Sequence, residues 1–315
     1  MITTTTLLPA AVQQSFDHKL LSVPVPHMIH KIAAMKKKMP ANGGQYLRMR
    51  RYQPLATAMV PLGNTGETPP AAVLHADHVD AKLQFYGQWI HINEQVTLTS
   101  QDAPLNEAAI RLGVSMRQTE DQLTRDMLAA TAGHINCEGG VNGDNPTELT
   151  RWDTDMAVRT LRGNDAYTVM DNIEGENKFG TAPVRDGYFA LGSTDLLGDL
   201  NECAGFLNKW AYPAPDKALR SEEGTLGNLR VLLSSIGSKS VAASNLGKDV
   251  YNIFCIGMEA YATVKMDEYN AKFLFRPAIY DGPLMQNVSV GYKFAEVPRI
   301  TNDLWLINLR ATLST

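Results

Sequence analysis

Apolar and small residues recur in steps of three and four at Leu105, Ala109, Leu112, Met116, Thr119, Leu123, Met127 and Ala130. That spacing places them on one stripe of a 3.6-residue helix and predicts the longest helix of the chain over 102–133. Glu107, Arg111, Arg117, Glu120, Asp121 and Arg125 fall on the opposite face, where solvent is expected. Asp102 is the expected N-cap, Pro104 sits in the tolerated first turn, and Gly133 is a natural stop. At about 1.5 Å per residue the helix would span roughly 43 Å.

Upstream the pattern changes period. Tyr46–Tyr52 alternates apolar or aromatic with basic residues over part of its length and predicts a half-exposed strand. Pro54, Pro61, Gly63, Gly66, Pro69 and Pro70 then break any regular element. In a second extended run Val79, Ala81, Leu83 and Phe85 share a face, but beyond Gly87 the apolar positions shift to Ile90 and Ile92. A bulge at Gly87 is the expected cause. Two strands with a long polar tip are marginal alone in water, so this hairpin is expected to rest on another subunit.

Residues 1–45 read as an arm, broken at Pro24–Val25–Pro26 and again at Met39–Gly44. Within it, 28–38 predicts a short helix ending in Lys36–Lys37–Lys38, with His27 and His30 expected at the surface. After the long helix, a Gly/Asn-rich loop leads to a helix near Thr154–Arg162, then a strand and turn to about Gly175. Further strands are expected at Tyr188–Gly192, Leu229–Leu233 and Val250–Ile256. Ser193 or Thr194 should cap a helix running through Phe206, and Met258–Val264 a short helix. Val288–Phe294 and Leu304–Leu313 alternate as edge-forming strands.

Composition changes this picture little: 44% hydrophobic and 20% charged residues are ordinary globular values. No apolar run approaches the roughly 18 residues of a membrane span, and the N-terminus lacks a signal-peptide pattern. Cys137, Cys203 and Cys255 form no CxxC and are expected as buried thiols in a reducing compartment. Charge is more telling. Residues 1–66 set eight basic side chains against Asp17 alone, a net of +7, so the remainder carries −11 of the total −4. Opposite charges at the two ends favour head-to-tail contact between copies. A solvated basic face and nucleic-acid contact are the other readings, and the acidic balance argues against the latter.

Catalytic patterns were sought, and HExxH, GxSxG, CxxC and EF-hand spacings are all missing from the sequence. Leu246–Gly247–Lys248–Asp249 lacks the Ser/Thr and the first glycine of a phosphate loop. His75 and His78 flank Asp77, but strand spacing puts the two histidines on opposite faces, so one metal is not expected. Asn287–Val288–Ser289 is a formal glycosylation triplet with nothing else pointing to secretion.

Four stretches carry a family resemblance. They are Arg51–Ala56 with its Pro/Gly tip, Phe85–Ile92 leading into the long helix, Gly247–Tyr251, and Val290–Phe294 followed by Asn302–Ile307. In this order the sequence resembles the major capsid proteins of tailed double-stranded-DNA phages, with the α+β fold named after the phage Hong Kong 97. The subfamily typified by virion-RNA-polymerase podophages is the nearest in pattern. The resemblance implies an N-terminal arm at 1–45, an extended loop at 46–99 reaching over a neighbour, and a peripheral domain with the spine helix at 100–175. It further implies an axial domain at 176–269 and returning peripheral strands at 270–315. No catalytic, cofactor or metal residue is implied. The implied partners are other copies in pentamers and hexamers, a separate scaffolding protein, a portal at one vertex, a cement or decoration protein, and enclosed double-stranded DNA. The expected location is the virion, after assembly in the host cytoplasm. Inter-subunit contact is expected at Lys36, Lys37, Lys38, Arg48, Arg50, Arg51, Tyr52, Phe85 and Trp89, the arginines meeting acidic neighbours. Core packing is the competing role for the aromatics. A nanocompartment shell and a soluble metabolic enzyme stand as the alternative functions.

Overall fold

The structure is a computed structural model that describes residues 25–40, 42–59, 71–100, 104–131, 133–169, 187–212, 218–267, 272–277 and 284–314. The first elements are strands β1 (Met35–Met39), β2 (Tyr46–Tyr52), β3 (Ala76–Lys82) and β4 (Gln84–Asn93), then helices α1 (Glu94–Thr99) and α2 (Pro104–Ala129). Next come β5 (His134–Asn136), α3 (Arg151–Gly163), β6 (Tyr188–Ser193), α4 (Leu197–Glu202), β7 (Phe206–Asn208), β8 (Glu222–Leu226), β9 (Leu229–Ser234) and β10 (Lys239–Ser240). The chain closes with β11 (Val250–Ile256), β12 (Tyr261–Met266), β13 (Lys272–Arg276), β14 (Asn287–Ile300) and β15 (Leu306–Ala311).

The longest apolar runs build the centre. Every residue of β6, β9 and β11 is buried, the signature of strands covered on both faces. They lie in an eight-stranded sheet ordered β5-β15-β11-β6-β9-β8-β7, with β10 also paired to β11. Alternation divides their side chains between two layers. Ala190, Val231, Leu233, Ile253, Cys255 and Leu309 pack with Ala157 and Leu161 of α3 and with Leu196 and Leu200 near α4. On the other face Phe189, Leu191, Leu232, Phe254 and Ile256 pack with Ile29, Ala33, Ala34 and the α2 residue Leu128.

A five-stranded sheet runs β1-β12-β14-β13, with β4 also paired to β14. Leu105, Leu112, Met116 and Leu123 of α2 pack on its Val290, Tyr292 and Phe294, joined by Tyr86 and Ile90. The 26-residue helix α2, about 39 Å long, therefore rests on one sheet along most of its length and on the other at its C-terminal end. β2 and β3 form a separate two-stranded ribbon.

The structure corrects several expectations. Lys36–Lys38 are not at the end of a helix: they lie in β1, parallel to β12. The expected helix over Met258–Val264 is a turn at Glu259 (φ 59°) followed by β12, where pairing with β1 and β14 overrides weak local preference. The extended run at 79–92 is two strands with different partners, and β4 pairs with β14 without interruption from Gln84↔Glu296 to Asn93↔Asn287. No bulge occurs at Gly87; the phase shift falls at Leu83, where the chain leaves the ribbon. Gly87 is needed for close approach, since a Cβ there would sit 2.9 Å from the Tyr292 carbonyl oxygen. β15 is no edge strand: it lies between β5 and β11, nearly all buried. The two sheets interleave along the chain: β12 belongs to the five-stranded sheet and β15 to the eight-stranded one. The expected N-cap Asp102, the residues before 25, and 170–175 lie outside the described residues.

Candidate assembly surface

Among the described residues the ribbon is anchored at its base alone. Ala81 and Leu83 are buried with Met39 and Val264, and Leu47 and Met49 pack beside them. Farther along, Arg50, Arg51 and Tyr52 are exposed, Tyr52 to 71%. The antiparallel register sets Arg48 opposite Asp80, Arg50 opposite His78 and Arg51 opposite Asp77. Arg48 donates from Nε to Asp80 Oδ1 at 2.7 Å and from Nη2 to Oδ2 at 2.8 Å. These bonds hold the Asp80 carboxyl below its usual range. Arg51 lies 3.7 Å from Asp77, which also accepts from Gln53 Nε2 at 3.0 Å. Two of the arginines expected to meet acids on a neighbour thus have cross-strand acids on their own ribbon. His75 and His78 share this ribbon, and its Asp77 is taken up by Arg51 and Gln53.

Phe85 and Trp89 sit on β4, on the face turned away from α2, 59% and 65% exposed. The indole lies 5.2 Å from the His91 ring, across the ladder from Gly291. A Cβ on Gly291 would fall 2.8 Å from that of Trp89, so only glycine permits this approach. Lys36, Lys37 and Lys38 are exposed on β1, at one end of the five-stranded sheet, with Lys38 Nζ 3.2 Å from Asp267. The expected contact residues therefore occupy three patches: the ribbon, the outer face of β4, and the β1 edge.

Sequence reasoning missed a buried charged junction. His30, expected at the surface, is fully buried. Its backbone N–H donates to Asp121 Oδ1 at 2.9 Å, and its Nδ1 lies 2.7 Å from Oδ2. Tyr261 donates its hydroxyl to the His30 carbonyl at 2.6 Å. The next residues continue the grip. Lys31 Nζ bridges Glu120 at 2.8 Å and Glu296 at 2.5 Å, and Lys265 bridges the same two carboxylates at 3.0 and 3.3 Å. Burial pushes Glu120 up, but Lys31 and Lys265 outweigh it and hold the group below its ordinary 4.5. Glu296 is raised by burial and by the Glu120 charge, against the pull of Lys31. Asp121, Thr124 and Leu128 share the buried ridge of α2, so an aspartate at a core position was the available signal.

No family model matches the chain, and no curated protein matches it in sequence. The solved structures answer differently. The chain has the fold of tailed-phage capsid proteins, of the Hong Kong 97 type, over nearly its whole length. The capsid of Ralstonia phage GP4 superposes with a TM-score of 0.70 at 12% identity, covering 97% of this chain and 96% of that one. The capsid of cyanophage P-SCSP1u gives 0.69 at 11% identity, covering 98% and 95%. That of Helicobacter pylori bacteriophage KHP30 gives 0.66 at 11%, covering 99% and 98%.

Proposed function

We propose that the chain is a major capsid protein, a structural and non-enzymatic subunit whose copies close into an icosahedral phage head around double-stranded DNA. The observation that carries this reading is a ribbon supported, among the described residues, at its base alone, in a chain that superposes on phage capsid structures over nearly all its length. Closed symmetry lets many weak contacts between copies add up to a shell. In this reading 1–45 is the arm, 46–99 the extended loop, 100–175 and 270–315 the peripheral domain, and 176–269 the axial domain. Lys36–Lys38, Arg48, Arg50, Arg51, Tyr52, Phe85 and Trp89 take part in contacts between copies forming pentamers and hexamers. A separate scaffolding protein, a portal and a cement protein complete the head, which assembles in the host cytoplasm.

The test is negative-stain microscopy of the expressed chain, with and without its gene neighbours, beside a variant lacking 56–72. Shells from the full chain that are lost in the deletion variant support the reading. A small oligomer of fixed size under all conditions, with a melting transition shifted by a metabolite, would point to a soluble enzyme instead.

A further inference from the structure

A cleft of about 390 Å³ opens between the first residues of α3, the last residues of α4 and Ser314. Its chemistry is acidic. Asp199, which lines it, is only 6% exposed, and its Oδ1 accepts from the Ser314 hydroxyl at 2.5 Å. Its Oδ2 is buried with no hydrogen-bond partner among the described residues. A carboxylate oxygen left without a donor carries a desolvation cost that a ligand can offset. Glu202 lines the same cleft, exposed and outside every ion pair among the described residues. The Cys203 thiol registers the local field: burial first, then Asp199 and Asp153, push it up to about 11, with Arg151 opposing and Glu202 adding. The other polar groups of the cleft are already engaged. Arg151 Nε is held by the two Asp155 oxygens at 2.9 and 3.0 Å, and Glu148 accepts the Val141 and Asn142 N–H groups. The N-terminus of α3, which would favour an anion, is closed by Asp153, which accepts from the Thr150 N–H at 3.1 Å.

We propose that this cleft is a binding site for an organic cation, a primary ammonium group carried on an alkyl stem. Asp199 Oδ2 and Glu202 supply the charge, and Leu149 and Ala204 supply apolar wall for the stem. Trp152, exposed on the cleft wall, makes no ring or cation contact among the described residues, and a cation over its indole gains from the ring quadrupole. A compact ammonium with three donors suits two carboxylates and a ring face. A metal ion fits less well: among the described residues no three His, Cys, Asp or Glu side chains are grouped to hold one. Two sources share the ammonium chemistry. One is a free alkylammonium; the other is a lysine of a second copy, for which Lys36 and Lys37 on β1 are exposed and outside any ion pair among the described residues. All the residues of the cleft belong to one chain, so the inference goes beyond the shell reading and does not depend on it.

The probe is butylammonium chloride, titrated onto the full chain at constant ionic strength and followed by saturation-transfer NMR. The wild-type chain should give a saturable signal on the butyl protons. Glu202→Gln and Trp152→Ala, both at exposed positions, should each lower it by about fivefold, and Glu94→Gln, an exposed acid on α1, should keep it in full. Equal signals in all four proteins, or none from the wild-type chain, overturn the proposal. Assembled shells then distinguish the sources. A signal lost on assembly and recovered in a Lys36→Ala/Lys37→Ala double variant identifies a lysine of a second copy; a signal retained on assembly identifies a free ammonium. A chain that binds the probe but never assembles overturns the shell reading alone.

Discussion

The eight-stranded sheet and the β2–β3 ribbon are built from the same chain under opposite rules. In the sheet, α3 covers one face while α2 and residues 29–34 cover the other, so Phe254 and Ile256 are fully buried. In the ribbon, hydrophobic packing reaches only as far as Met49 among the described residues, and beyond it the strands are held by their own ladder, the Gln53–Asp77 hydrogen bonds and exposed ion pairs. The first is covered on both faces; among the described residues the second is covered at its base alone. Stability should therefore reside in one region and association in the other, and substitutions can separate them.

The largest effects belong in the sheet. Phe254→Ala removes a fully buried ring and should cost about 3–5 kcal/mol in denaturant unfolding. Glu222→Ala should cost a similar 3–5 kcal/mol, because it breaks the buried pair with Arg230, bonded to Glu222 at 2.7 and 3.0 Å. Trp89→Ala inverts this pattern: the melting temperature should hold while shell yield falls. A melting temperature that drops as far as for Phe254→Ala would mean the indole is a core group and would erase the distinction drawn here.

A smaller effect tests the junction between the two sheets. Glu296 has a raised pKa, so its contribution to stability is present below 4.5 and is lost as pH rises through the raised value. Glu120, depressed, contributes above 4.5 and loses that contribution as pH falls through its lowered value. Mild acidification above pH 4.5 should thus gain stability through Glu296, and Glu296→Gln should abolish that gain in urea melts at pH 7 and pH 5. Smallest of all, Arg48→Ala should leave unfolding nearly unchanged, since its ion pair with Asp80 is solvent-exposed.

How much of this was legible depended on whether a residue's fate was decided nearby or far away. β6, β9 and β11 were readable because a strand buried on both faces needs an unbroken apolar run. α2 was readable because its stripe repeats over seven turns; α3 was placed near Thr154 but starts at Arg151, because Asp153 accepts from the Thr150 N–H and hydroxyl, a cap that apolar spacing does not show. β1 was not: Met35–Met39 has no strand pattern of its own and takes its shape from β12, more than 200 residues later. β4 was placed in the ribbon because alternation cannot say which strand will pair, and its partner β14 lies near the C-terminus. His30 and Asp121 are two ordinary surface residue types whose burial follows from an encounter 91 positions apart. The proposed contact residues Arg50, Tyr52 and Trp89 are exposed, as a contact role requires, but the acids opposite Arg48 and Arg51 required the register.

Because α2 is bonded along one sheet and wedged under the other, it acts as a tie-bar between them. A protomer braced this way resists bending through its middle. In the proposed shell, a change in curvature between copies would then be taken up at the margins, at the ribbon beyond its buried base.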